Sequence, residues 1–239
     1  MTIRYRCIIQ LIQKISLLMV SAGLLLVAQP AVAIIFTDGD FVPSQWQSHI
    51  FLTQTSTAAA STVVGGGVPG DHREIVLYSS TGFLQPTGRS MLVELKTSAV
   101  VSPATLGGIT NVDYVEDHFC SCFGGGVLWG PALEQGGVYY IVPGNATPNS
   151  LLLTWETVSL AGLTELDFEE ALVTAPGWTD GSSHPDFSAA GGPITFGYVR
   201  AKAFVATTSS VLDNWTVSVN ETAVGVETQQ WGSLKSLYR

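Results

Sequence analysis

What most constrains this chain is the recurrence of short runs rich in Val, Ile, Thr, Tyr and Trp, each closed off by a Gly, Pro or Asn cluster. Glu74–Tyr78, Ser90–Leu95, Gly137–Val142 and Leu151–Trp155 have the length and the β-branched or aromatic content of strands. Further strands are expected over Val112–Glu116, Thr195–Arg200, Ala203–Thr207 and Asn214–Val219, while Thr53–Val64 reads as either a strand or a loose loop. No stretch keeps apolar residues at helical spacing for more than about two turns. The glycine and proline clusters at 65–70, 124–126, 143–145 and 191–193 supply the positive φ angles and rigid corners of antiparallel connections. Many short strands without an internal repeat or a dividing linker predict one all-β domain, a sandwich or a barrel.

The first residues read differently. Arg4, Arg6 and Lys14 precede an apolar run over Ile15–Ala28 that ends in Ala31-Val32-Ala33, the pattern of a secretory signal peptide with its small-residue cleavage site. Cleavage there leaves 206 residues with seven basic and 19 acidic side chains, a net charge of −12. Such a surface repels phosphate backbones, so a nucleic-acid partner is not expected. No later segment is long and apolar enough to span a bilayer, and the mature chain is expected outside the cell or in a periplasm. The domain is expected over residues 34–221, with 222–239 a loosely packed or disordered tail. Only Cys120 and Cys122 remain after cleavage, too few for a disulfide framework, so the apolar core must supply the stability.

Five stretches together resemble secreted bacterial jelly-roll domains of the concanavalin A-like type. They are Phe36-Thr-Asp-Gly-Asp-Phe41 with Trp46, Gly66–Arg73, Ala132–Gly137 with Tyr139, Pro185–Tyr198, and Leu212-Asp-Asn-Trp-Thr-Val217. The resemblance implies two packed antiparallel sheets, with first and last strands side by side. Similar proteins often carry a C-terminal surface-sorting helix, whereas this chain ends in Gly-Ser-Leu-Lys-Ser-Leu-Tyr-Arg, which favours release over anchoring. If the chain ends close as implied, Asp38, Asp40, Asp213 and Asn214 gather oxygen ligands suited to a structural Ca²⁺. The alternative is that the same side chains make turns and cap strand ends.

Glu165, Asp167 and Glu169 fall on every second position, resembling the Glu-x-Asp-x-Glu signature of laminarinase and lichenase glycosidases. By that likeness Glu165 is the nucleophile, Asp167 the tuning residue and Glu169 the general acid and base. It requires a strand, on which the three acids share a face. Thr164 followed by Asp167 has instead the form of a capping box opening a helical turn, where the acids scatter. The expected reading is a turn after a core strand, with no catalytic residue.

His118, Cys120 and Cys122 would share one strand face, but three ligands without C-x-x-C spacing make a poor zinc site. The two cysteines form a bridge or remain free thiols. None of His49, His72, His118 and His184 has the context of a catalytic triad. Trp129, Tyr139, Tyr140, Trp155 and Trp178 are candidate platforms for sugar rings, with Trp129, Tyr139, Trp155 and Trp178 the expected ligand-binding set, while Trp46 and Trp215 are assigned to the core. Together these readings point to a secreted, non-catalytic binding or structural module for extracellular polysaccharide. A glycoside hydrolase and a structural protein without a small ligand are the alternatives.

Overall fold

The computed structural model describes residues 33–53, 55–79, 89–121, 127–144, 152–173, 178–202 and 206–221. The expected leader up to residue 32, the expected tail and Cys122 therefore lie outside the described residues. The chain order is β1 (Ala33–Asp38), β2 (Trp46–Leu52), β3 (Thr57–Gly67), β4 (Gly70–Ser79), β5 (Ser90–Val101), β6 (Ile109–Ser121), β7 (Leu128–Gln135), β8 (Val138–Ile141), β9 (Leu152–Leu163), β10 (Glu169–Glu170), β11 (Ile194–Lys202) and β12 (Ala206–Glu221). A single turn of helix, α1 (Pro103–Leu106), joins β5 to β6 and stops at Gly107 with φ of 69°.

The strands form two six-stranded antiparallel sheets, a jelly-roll sandwich. Sheet A runs β3-β4-β12-β6-β9, with β1 beside the second half of β12, and sheet B runs β10-β8-β7-β11-β5-β2. The first and last strands do meet, with Asp38 opposite Trp215. Ala206, Thr207 and Asn214–Val219, read as parts of two separate strands, belong to the one long strand β12, whose register shifts between Asp213 and Thr216, while residues 203–205 lie outside the described residues. Of the two readings of Thr53–Val64, the strand describes its larger part: β3 covers Thr57–Gly67.

Burial separates the sheets. Along β6 the side chains from Val112 to Cys120 alternate buried and half-buried, the pattern of a sheet with one open face. In sheet B, β5 from Ser90 to Lys96 and β11 from Phe196 to Lys202 are buried without alternation. Both faces of sheet B are therefore covered. Its inner face joins the main core, with Leu92, Leu133, Phe196 and Tyr198, whereas Met91, Val93, Leu128, Ala132, Ile141 and Val199 form a second apolar cluster on the outer face.

The core between the sheets is charged as well as apolar. Arg73 from sheet A reaches Glu94 of sheet B through two hydrogen bonds of 2.7 and 2.6 Å, and Arg200 of sheet B reaches Glu116 of sheet A at 2.8 Å. Each glutamate also accepts a tyrosine hydroxyl from its own sheet, Tyr198 on Glu94 and Tyr114 on Glu116. Ser48 completes the first cluster and His118 the second. At the side, Trp46 packs against Phe41, Tyr198 and Trp215 with ring centroids 5.2 to 5.6 Å apart. Trp46 and Trp215 are core residues, as expected.

Thr164–Phe168 is not a strand. Glu165–Asp167 is a 3-10 turn with a reciprocal capping box, in which Asp167 Oδ2 accepts the Thr164 amide at 2.7 Å and its hydroxyl at 2.8 Å. Glu169 lies beyond the turn on β10, where its carboxylate accepts the Thr179 hydroxyl. The strand-face row required for a nucleophile, tuning residue and acid is therefore absent: Asp167 is occupied as a cap and Glu165 points to solvent.

Three outcomes follow. Glu116→Gln or Arg200→Met alone leaves a buried charge unpaired and costs about 3–5 kcal/mol in urea unfolding, while the double change Glu116→Leu with Arg200→Met recovers much of it. Asp167→Ala costs about 1 kcal/mol as a lost cap, whereas Glu165→Gln leaves the melting temperature unchanged. The third concerns acid. Burial raises the Glu116 carboxyl, but Arg200, His118 and Tyr114 hold it below its ordinary value of 4.5. Burial likewise raises Asp38, and Lys96, the Phe41 amide and the Trp46 indole hold it below 3.8. Their stabilisation is complete above those values and drains as pH falls through the lowered folded-state values. Melting temperature should drop steeply below about pH 4, and Asp38→Asn should flatten that acid limb.

Candidate functional site

The second apolar cluster marks a hollow. His49 stands on β2 and Tyr139 on β8, at the two sides of sheet B with β7, β11 and β5 between them. Four strand spacings amount to about 19 Å along a flat sheet. Yet the two rings lie 4.6 Å apart between centroids, with the Tyr139 hydroxyl 2.7 Å from His49 Nδ1. Sheet B is therefore curled, outer face inward, into a trough whose walls touch through this pair. Gly130, Ala132, Gly197 and Ala201 keep the floor narrow. At Gly197 a Cβ would come within 1.8 Å of the Glu94 carbonyl oxygen, so only glycine fits there.

Aromatic side chains line the rim. Phe51 meets Tyr139 edge to face at 5.5 Å, and Trp178, delivered by the loop after β10, packs on the same cluster. The loop is tied down by backbone bonds from Ala171 to Tyr139 and from Leu172 to the Trp178 carbonyl. The Arg89 guanidinium lies over the Trp178 ring, 5.3 Å from its centroid. His49, Phe51, Tyr139 and Trp178 are all half-buried, so each shows part of its ring to solvent.

Polar groups converge on this rim. Burial lowers His49 below its ordinary value of 6.5 against an opposing pull from Glu134, so the imidazole is neutral at pH 7. Burial and Glu134 both raise the Tyr139 hydroxyl, which stays protonated. The rim thus offers a neutral imidazole, a phenol, the Arg89 guanidinium and the Glu134 carboxylate around apolar planes.

The four expected ligand-binding aromatics do not form one site. Tyr139 and Trp178 belong to the trough of sheet B. Trp155 stands on β9 on the outer face of sheet A, 6.0 Å from His72 and 6.1 Å from Phe119. Trp129 packs against the main core and edge-on to His118, and Tyr140 is buried there. The sequence reading missed His49, Phe51 and Arg89; Gln47, His49 and Phe51 alternate along β2, a weak period-two signal.

Asp38, Asp40, Asp213 and Asn214 come close as implied, with Asp213 and Asn214 oxygens within 4 Å of a Cβ built at Gly39. The carboxylate oxygens of Asp38 and Asp213 face protein donors. Asp38 Oδ1 accepts the Asp40 and Phe41 amides, and Oδ2 accepts the Trp46 indole and the Lys96 ammonium. Asp213, fully buried, accepts the amides of Val68 and Asn214. Asp38 and Asp213 thus make the side-chain to backbone bonds of the turn-and-cap alternative. Among the described residues no three His, Cys, Asp or Glu side chains are grouped to hold a metal ion. Cys120 is disulfide-bonded, and the His118 ring is engaged by Glu116.

No helix among the described residues is long and apolar enough to cross a membrane. No family model and no curated protein matches the sequence. Several solved structures are similar in part. A family 11 carbohydrate-binding module from Clostridium thermocellum, in complex with a β-1,3-1,4-mixed-linked tetrasaccharide, superposes with a TM-score of 0.48 at 15% identity over 78% of this chain and 96% of that one. A mannan-recognising family 27 module gives 0.39 at 9% identity over 80% and 99%. An exo-β-agarase gives 0.39 at 14% over 78% and 26%.

Proposed function

We propose that this protein is a secreted, non-catalytic module that binds a polysaccharide in the trough of sheet B. The observation behind this reading is the rim set of His49, Phe51, Tyr139 and Trp178, half-exposed rings around a curled sheet with polar groups between them. A sugar ring presents an apolar C–H face and a belt of hydroxyls, and needs an aromatic plane beside donors and acceptors. The trough offers both. Tyr139 and Trp178 supply planes, while the Arg89 guanidinium and the Glu134 carboxylate supply a donor and an acceptor.

Pre-organisation strengthens the case. The Tyr139–His49 contact and the Arg89–Trp178 stack hold these side chains before any ligand arrives, so little rotamer freedom is lost on binding. The deep floor is already filled by Val93, Ala132 and Val199, all fully buried, so a ligand lies along the rim rather than inside the sandwich. An extended chain suits that geometry better than a small enclosed molecule.

The test is affinity electrophoresis and calorimetry of the intact domain against soluble β-glucan, mannan, xylan and agarose. One or more should bind, and Tyr139→Ala and Trp178→Ala should each weaken binding about tenfold, equivalent to about 1.4 kcal/mol, at unchanged fold by circular dichroism. Retention of none of the four, or full affinity in both variants, would overturn the reading.

A further inference from the structure

The outer face of sheet A holds a second aromatic arrangement that the trough does not use. Trp155 stands on β9 and His72 on β4, three strands away across β6 and β12. At about 4.8 Å per strand the backbones are about 14 Å apart, yet the rings approach to 6.0 Å between centroids. Trp155 must therefore reach across the face rather than stand out from it. Phe119, on the strand between, meets Trp155 at 6.1 Å. Val211, paired in register with Phe119, is 7% exposed although it points to the open face, as expected of a residue roofed by these rings. The result is an indole resting along the sheet and half open to solvent.

The surroundings of this indole are polar and carry one sign of charge. Thr157 donates to Asp117, whose other oxygen accepts the Asn214 amide, and Ser209 donates to Glu74. Asn214 is fixed with φ of 48° at the register shift of β12, its amide also donating to the Val68 carbonyl. Beyond it the outward positions of β12 continue as Thr216, Ser218 and Asn220, a lane of hydroxyls and an amide leading away along the face. The described lysines and arginines all stand elsewhere: Arg73, Lys96, Arg200 and Lys202 are buried, and Arg89 is at the trough.

We infer that this face is a second polysaccharide-binding surface, centred on Trp155 with Asp117 and Asn214 beside it, and that it takes a neutral glycan chain. An indole plane with carboxylate and amide acceptors, and no lysine or arginine beside it among the described residues, suits a ligand with electropositive C–H faces and donating hydroxyls. The same charges repel nucleic acid, anionic lipid and acidic polysaccharide. A basic protein would meet the charge but leaves the ring plane and the hydroxyl lane without a role.

A consequence follows for the whole domain, and this part rests on the trough reading. The two surfaces lie on opposite faces of one sandwich and cannot grip the same short segment side by side. One domain then ties two chains together. Bivalent engagement raises avidity on a dense polymer without any new contact, because the second event is governed by effective concentration.

The experiment uses the whole secreted chain with a neutral soluble polysaccharide. Expected is an uptake of two chain segments per protein by calorimetry, with turbidity as polymer is cross-linked. Trp155→Ala and Trp178→Ala should each halve the stoichiometry and abolish turbidity while keeping binding at the other face, and the double variant should lose both. Trp155→Phe, which keeps the apolar cover over Val211, should fold normally and show a several-fold weaker second site. If Trp178→Ala changes nothing while Trp155→Ala removes all binding, the trough reading fails and the sheet A surface stands. If Trp155→Ala and Trp155→Phe match the parent in stoichiometry and turbidity, or if this face retains only polylysine in a salt-sensitive way, the inference is overturned.

Discussion

Everything in this sandwich depends on two glutamates placed between its sheets. Glu94 belongs to sheet B and is held by Arg73 of sheet A; Glu116 belongs to sheet A and is held by Arg200 of sheet B. The two pairs cross the gap in opposite senses, and each is closed by a tyrosine hydroxyl from the glutamate's own sheet. An apolar interface between two sheets resists separation but barely resists sliding, because dispersion and burial are non-directional. Guanidinium–carboxylate hydrogen bonds, forked in the Arg73–Glu94 pair and single in Arg200–Glu116, are directional, and a shift of one residue in register would leave a buried charge unpaired. These pairs are a reason for the sheets to sit in one alignment. They are not in themselves a large source of net stability, since desolvation offsets much of their attraction.

That alignment reaches the outer surfaces through the strands that carry the charges. Arg200 and Tyr198 point inward from β11, so Val199 and Ala201 point outward and form the trough floor. Glu94 points inward from β5 and leaves Met91, Val93 and Leu95 outward, beneath the aromatic rim. On sheet A, Glu116 and His118 point inward from β6, which sends Asp117 and Phe119 to the face where Trp155 lies. The inward network and the two outward faces are the odd and even positions of the same strands. A change of register would therefore destroy the core and both surfaces together.

Much of the architecture was legible from alternation and turn residues, and the gaps have physical causes. β4, β5, β8, β9 and β11 announced themselves through β-branched runs between glycine clusters. β7 did not, because Gly130 and Pro131 look like a turn; Pro131 lies beyond the last residue paired with β8, where a missing N–H is tolerated. The meeting of the chain ends followed from the family resemblance, but the use of the oxygens there did not. Lys96 is 58 residues from Asp38, and no local pattern predicts that partnership. The acidic row was decided by local chemistry alone, since Thr164 and Asp167 form their cap within four residues. Of the four expected platforms the residue types were readable, whereas their division among the trough, the outer face of sheet A and the core, where Trp129 packs, depends on sheet order, which spacing along the chain does not encode.

The curl of sheet B explains why its outer face, and not that of sheet A, needed a second apolar cluster. When a sheet bends toward its outer face, side chains there converge, and polar ones would lose water without gaining partners. The floor positions are accordingly small or aliphatic, and polar function moves outward to His49, Tyr139 and Glu134 at the rim. On the outer face of sheet A, threonine, serine, aspartate and asparagine alternate with the buried residues over much of β12 and β6, and many of these outer positions are half-buried. There an aromatic platform requires one long side chain lying across the strands, and tryptophan is the residue with the reach. The same sandwich thus supports a recessed aromatic rim on one side and a flat indole on the other, each following from the shape of the sheet beneath it.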